Sequence, residues 1–217
     1  MDRPTPTNAP IAFAADYADA LLVLRRSKGF IELFLFLMLA LQIGLFAATK
    51  FGNFLPAHSS SATQPTTSTD ALNYLTALSL TLGLILGILL PIVLVLIHHV
   101  MLVGRLIGLG KMTSALVWSI FLLLMLFPWQ TMLATAGIER PDVVVPGVMY
   151  SWHELSTNGN FSNGAGLETI LNWFRFVGAP VVAMIVLLIV RIGSGRGIRL
   201  ALGETPLTSE VIEESKV

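Results

Sequence analysis

Residues 71–104 read ALNYLTALSLTLGLILGILLPIVLVLIHHVMLVG, a stretch without one formally charged side chain between Asp70 and Arg105. About twenty apolar residues in a helix, each rising about 1.5 Å, cover the roughly 30 Å hydrocarbon core of a bilayer. This stretch exceeds that length, and a helix within it at about 72–98 can cross, tilted or protruding. Three further apolar runs have the required length, at 30–49, 112–133 and 171–192. The sequence therefore predicts an all-α polytopic membrane protein of four transmembrane helices. Composition agrees: of 217 residues 54% are hydrophobic and 12% charged, against about 25% charged in soluble domains.

Around these spans the chain divides into a lead at 1–29, a four-helix bundle at 30–192 with loops at 50–71 and 134–170, and a tail at 193–217. In the lead, Asp16, Asp19, Arg25 and Arg26 interrupt apolar residues at intervals that suit an amphipathic helix lying on the membrane surface. It is too long, and its following span too complete, for a cleavable signal. Residues 56–70, rich in Ser and Thr, are expected to be disordered. Asn160-Phe-Ser matches a glycosylation acceptor in the loop at 134–170. The glycine- and arginine-containing stretches at 104–112 and 193–203 read either as helix stops carrying topology signals or as a site for anionic headgroups.

Lysine and arginine favour the cytoplasmic flanks of spans, and here they fix the expected orientation. With both termini inside, Arg3, Arg25, Arg26, Lys28, Arg105, Lys111, Arg191, Arg196, Arg199 and Lys216 fall on the cytoplasmic side, against Lys50, Arg140 and Arg175 outside. The expectation is N-in, C-in, in a membrane taken as a bacterial inner membrane.

Reactive constellations are sparse. Thirteen basic residues balance thirteen acidic ones, which speaks against nucleic-acid binding. The absence of cysteine removes disulfide, thiol and cysteine-ligated metal chemistry. His98 and His99 point about 100° apart on a helix and cannot clamp one haem, so no cofactor is expected. His58 has no partner motif. Trp152-His153-Glu154 begins like a zinc-peptidase helix, but Thr157 stands where the second histidine belongs. Ser151, His153 and Asp142 lack the setting of a hydrolytic triad.

Small residues at intervals of four give the expected packing faces: Ala40, Gly44 and Ala48 on span one against Ser79, Gly83 and Gly87 on span two. Pro91 and Pro180 mark interior bends. Lys28 and Glu32 can meet at i, i+4. Gln42, near mid-bilayer, and Arg175, in the first turn of span four, are the candidates for a polar path, although Gln42 serves equally for a bond between helices. These features favour a non-enzymatic scaffold, accessory subunit or interaction protein whose partners are lipids and either copies of itself or another membrane protein. A subunit of a small oligomeric transporter or channel is the alternative, and a membrane-embedded redox or lipid enzyme the third reading.

The orientation is checked by thiol labelling. Cysteines placed at Ser61 and Ser162 should react with an impermeant reagent in intact cells and one at Ser209 should not. The reverse pattern would invert the topology.

Overall fold

The computed structural model describes residues 9–51, 67–129, 147–158 and 166–204. The elements are helices α1 (Ala9–Phe51), α2 (Thr67–Val103), α3 (Leu109–Leu126), α4 (Trp152–Asn158) and α5 (Leu167–Trp173), a π turn at Phe174–Gly178, and α6 (Ala179–Ala201). Four helical stretches, Asp16–Phe51, Asp70–Val103, Leu109–Leu126 and Thr169–Ala201, are long and apolar enough to cross a membrane, which marks an integral membrane protein. A helix suits such sequences because it satisfies its backbone hydrogen bonds without water. Residues 56–66, His58, Asp142, Asn160 and the acidic tail beyond 204 lie outside the described residues; the last four residues of the segment expected to be disordered, 67–70, instead form the first turn of α2.

The four long helices close a ring: α1 packs on α2, α2 on α3, α3 on α6, and α6 back on α1. One end of the ring carries the α2–α3 turn at 104–108; there α1 and α6 bring Arg25 to Glu204 and Lys28 to Ser194. At the other end, the loop end, the segment 147–158 folds against the helices. Inward residues repeat at alternating intervals of three and four, as in Lys28, Glu32, Leu35, Leu39, Gln42, Phe46 and Thr49 of α1, the period of left-handed helix packing. Outward positions such as Phe30, Leu33, Phe34 and Leu37 are apolar and exposed, as a lipid-facing surface requires.

Several boundaries differ from the sequence reading, and α2 itself runs from Thr67 to Val103 where 72–98 was expected. The lead and span one form a single uninterrupted helix of 43 residues, about 64 Å long. Leu21, in the lead, is fully buried. Span three ends at Leu126 rather than near 133: Phe127 is extended (φ −66°, ψ 132°), as the residue before a proline prefers. Span four does not stop at its glycines, since α6 runs through Gly193, Gly195 and Gly197 to Ala201.

The two prolines act differently. Pro91 lies within the continuous α2. Pro180 follows the π turn, in which the Ala179 N–H donates to the Phe174 carbonyl. That longer register accommodates a proline unable to donate the usual bond, and it turns both Arg175 and Phe176 inward.

Without a hydrophobic force between helices in lipid, close approach decides which pairs form. The tightest approach joins α3 to α6. A Cβ on Gly197 would lie 3.3 Å from the Gly108 carbonyl oxygen, and one on Gly193 would lie 3.5 Å from the Ala115 Cβ. Gly108 itself has φ +102° and faces the Gly197 carbonyl oxygen at 2.8 Å from its added Cβ. Gly108→Ala and Gly197→Val are each expected to cost about 1–3 kcal/mol. Gly44→Ala and Gly110→Ala, where an added methyl group meets open space, should leave stability unchanged or raise it by up to about 1 kcal/mol. Thermal melts in detergent compare the two pairs.

Candidate functional site

The densest gathering of polar and aromatic side chains is at the loop end. Gln42, fully buried on α1, donates from Nε2 to Ser79 Oγ of α2 at 2.7 Å, and the Ser79 hydroxyl donates to the Thr76 carbonyl at 3.0 Å. In lipid an amide left without partners would cost several kcal/mol; this bond supplies one across the helix pair. Its Oε1 has no hydrogen-bond partner among the described residues.

The segment 147–151 enters the bundle above this pair. Val148 N–H donates to the Met125 carbonyl at 3.0 Å, Met149 packs over Gly83, and the fully buried Tyr150 donates its hydroxyl to the Gln42 backbone carbonyl. The Tyr150 ring meets Phe176 edge-on at 5.1 Å, Phe176 stacks on Phe46 at 5.1 Å, and Trp173 meets Phe46 edge-on at 5.6 Å. Such geometries suit the negative face and positive edge of aromatic rings. Burial is the main cause that pushes the Tyr150 phenol above its ordinary pKa, against a hydrogen bond to the Phe46 backbone. Tyr150 therefore stays protonated and remains a donor.

Helix α4 follows directly. Ser151 Oγ accepts the Glu154 N–H at 3.3 Å, and the Glu154 carboxylate bonds back to the Ser151 backbone, the reciprocal arrangement of a capping box. Glu154 also pairs with the buried Arg175 of the π turn. Burial raises the Glu154 pKa, and the opposing pull of Arg175 and the Ser151 backbone is smaller. Removing this carboxylate from water thus outweighs the attraction it gains.

At the turn end lies a second polar group. Lys28 Nζ sits 3.1 Å from Glu32 Oε1 and donates to Ser194 Oγ at 2.6 Å, while the Ser194 hydroxyl reaches the Val190 carbonyl at 2.6 Å. Arg25 pairs with Glu204 at 2.9 Å. From Glu32 to Gln42 the helix rises about 15 Å, and on α1 Leu35 and Leu39 fill the interior between them as part of the main core.

The expected packing faces are distributed otherwise than the sequence suggested. Ala40 and Gly44 are exposed and Ala48 half-buried, and a Cβ on Gly44 would meet open space, so this face is not the seat of span two. Ser79 does meet span one, through Gln42. Gly83 instead receives Met149, and Gly87 faces Leu126 and Leu123 of α3. The small residues that join helices backbone to backbone are Gly108, Gly193 and Gly197. Their signal was present as a glycine pair four apart, masked by the interleaved arginine.

Of the two candidates for a polar path, Gln42 is bonded to Ser79 and Arg175 to Glu154, both within the loop-end cluster. Tyr150 and Glu154 were missed, although Ser151-Trp-His-Glu154 carries the capping-box spacing. Ser151 is committed to that cap. His98 is half-buried, with Nδ1 lacking a partner among the described residues, and His99 is exposed. The His153 side chain lies outside the described residues, among which no three His, Cys, Asp or Glu residues gather as a metal would require. Comparison of the chain with protein-family models, curated proteins and solved structures gives no match.

The Glu154–Arg175 pair gives two expectations. Arg175→Met leaves the carboxylate buried without its cation and should cost about 3–5 kcal/mol; adding Glu154→Gln should recover much of that loss, read from melts of the single and double variants. Because its folded-state pKa is raised, Glu154 contributes more to stability as pH falls through that raised value, fully below the ordinary carboxylate range, and loses the contribution as pH rises past it. Melting temperatures between about pH 4 and pH 8 should carry this slope in the wild type and lose it in Glu154→Gln.

Proposed function

We propose that the chain is a non-enzymatic integral membrane protein that acts through association, as a scaffold or accessory subunit, with both termini on the cytoplasmic side of a bacterial inner membrane. The observation that carries this reading is how the buried polar side chains are used. Lys28 binds Glu32 and Ser194, Gln42 binds Ser79, and Arg175 binds Glu154, and the main core is otherwise apolar and rich in leucine. Groups spent on holding helices together are not free for catalysis, and a predominantly apolar interior is a poor lining for an ion.

Further support comes from the outward side of α1, where Ala40 and Gly44 stay open to the lipid; small residues there permit another helix to come close. The orientation rests on the ten basic residues assigned to the cytoplasmic flanks, of which Arg105, Lys111, Arg191, Arg196 and Arg199 are exposed. The transporter or channel subunit stays as the second reading, favoured by Gln42 Oε1 and its lack of a described partner deep in the bundle.

Native mass spectrometry of the chain extracted in mild detergent, with flux measurements in liposomes, separates the two. The association reading expects a defined homo-oligomer or a co-purifying membrane protein and no solute or ion flux above empty vesicles. A monomer without partners, or flux that Gln42→Leu abolishes, would overturn it.

A further inference from the structure

The turn end concentrates positive charge around one backbone contact. Gly108 in the α2–α3 turn and Gly197 in α6 meet so closely that a Cβ on Gly108 would lie 2.8 Å from the Gly197 carbonyl oxygen and 3.2 Å from the Leu200 Cβ. Arg105 and Lys111 stand three residues to either side of Gly108, Arg196 precedes Gly197, and Arg199 precedes Leu200. Four cationic side chains thus leave the chain within about one helical turn of a single contact. Sequence places the two glycine–arginine stretches about ninety positions apart; the helix ring joins them.

All four side chains are exposed, and among the described residues none takes part in an ion pair. The nearest described acid, Glu204, bonds through its backbone N–H to the Arg199 carbonyl at 2.9 Å, but its carboxylate is turned onto Arg25, also at 2.9 Å. Arg105 holds a left-handed backbone conformation with φ 50°, which is uncommon for a residue with a Cβ. Exposed apolar side chains border the charges: Leu102, Val103 and Ile107 beside Arg105, and Ile192 below Arg196.

We propose that this surface binds the headgroup of an anionic phospholipid. Guanidinium groups meet phosphate oxygens through paired hydrogen bonds, and the bordering apolar residues give the acyl chains their place. That border favours a lipid over a soluble phosphate, which would leave it uncovered. A zwitterionic headgroup brings its own cation among the four and gains less. The inference depends neither on the proposed function nor on which leaflet the surface faces.

The test is native mass spectrometry of the detergent-purified full chain, titrated with phosphatidylglycerol and with phosphatidylcholine of matched acyl chains. Phosphatidylglycerol should be retained at several-fold higher occupancy, falling as salt is raised. Arg199→Gln should weaken its binding about fivefold and Arg196→Gln with Arg199→Gln about 25-fold, at about 1 kcal/mol for each charge near a headgroup. Arg26→Gln, the same charge change at an exposed position on α1, should alter binding less than twofold. Equal binding of the two lipids would overturn the proposal, as would equal losses from Arg26→Gln and Arg199→Gln, which would mean diffuse attraction rather than a site. Elution profiles and melts confirm that each variant is folded.

Discussion

The hydrogen bond from Gln42 to Ser79 sets the terms for the loop end. In lipid there is no water to take up an unused amide, so this bond ties α1 to α2 at one register. The carbonyl of the same residue then receives Tyr150, and through it the segment 147–158 is held inside the bundle rather than above it. Phe46 and Phe176 are stacked in consequence, and the π turn that delivers Phe176 delivers Arg175 as well. A single polar residue on one face of α1 thereby fixes the positions of α2, of a loop and of the start of α6.

The buried charges are paired and stand far apart along the bundle. Along α1, Lys28 and Phe46 are about 27 Å apart, close to the roughly 30 Å thickness of bilayer hydrocarbon. Phe46 stacks on Phe176, the neighbour of Arg175, so the Lys28–Glu32 and Arg175–Glu154 pairs stand about one hydrocarbon thickness apart along the bundle. The neutral Gln42–Ser79 pair stands between them, about 6 Å along α1 from Phe46. Leucine is the commonest residue of the remaining core, which also holds Met112, Ala183, Val186 and Val190.

The four spans were legible because length and hydropathy are local properties, and a run of about twenty apolar residues has few alternatives. The i, i+4 meeting of Lys28 with Glu32 was legible for the same reason. What escaped the sequence was contact between distant segments. Ser79, Gly83 and Gly87 share a face, but nothing in the spacing of one helix states that Gly83 meets a loop methionine and Gly87 meets α3. Ser194 as the third member of the Lys28 cluster depends on ring closure. The glycines at 193–197 were read as a stop by the logic of helices in water, where glycine is costly; against a neighbouring backbone the missing Cβ is what admits the contact. Span three was expected to reach 133, past Pro128, but the residue before a proline favours an extended backbone and α3 ends at Leu126. The capping box at Ser151 was in plain letters, hidden by the resemblance of Trp152-His153-Glu154 to half of a metal motif.

Ring closure by α6 has a consequence for how the protein is made. Spans are delivered to the membrane in chain order, and α6 is the last of the four. It and its preceding turn supply Ser194 to Lys28, Arg175 to Glu154, Phe176 to Phe46 and Gly197 to Gly108. Until it arrives, Lys28 has only Glu32, Glu154 has no cation, and α1 and α3 face lipid along the sides that α6 will cover. The three-span intermediate in the membrane thus lacks the partners that Ser194 and Arg175 supply. Membrane-embedded quality control would find it there, and a truncation before residue 175 would leave that state permanent.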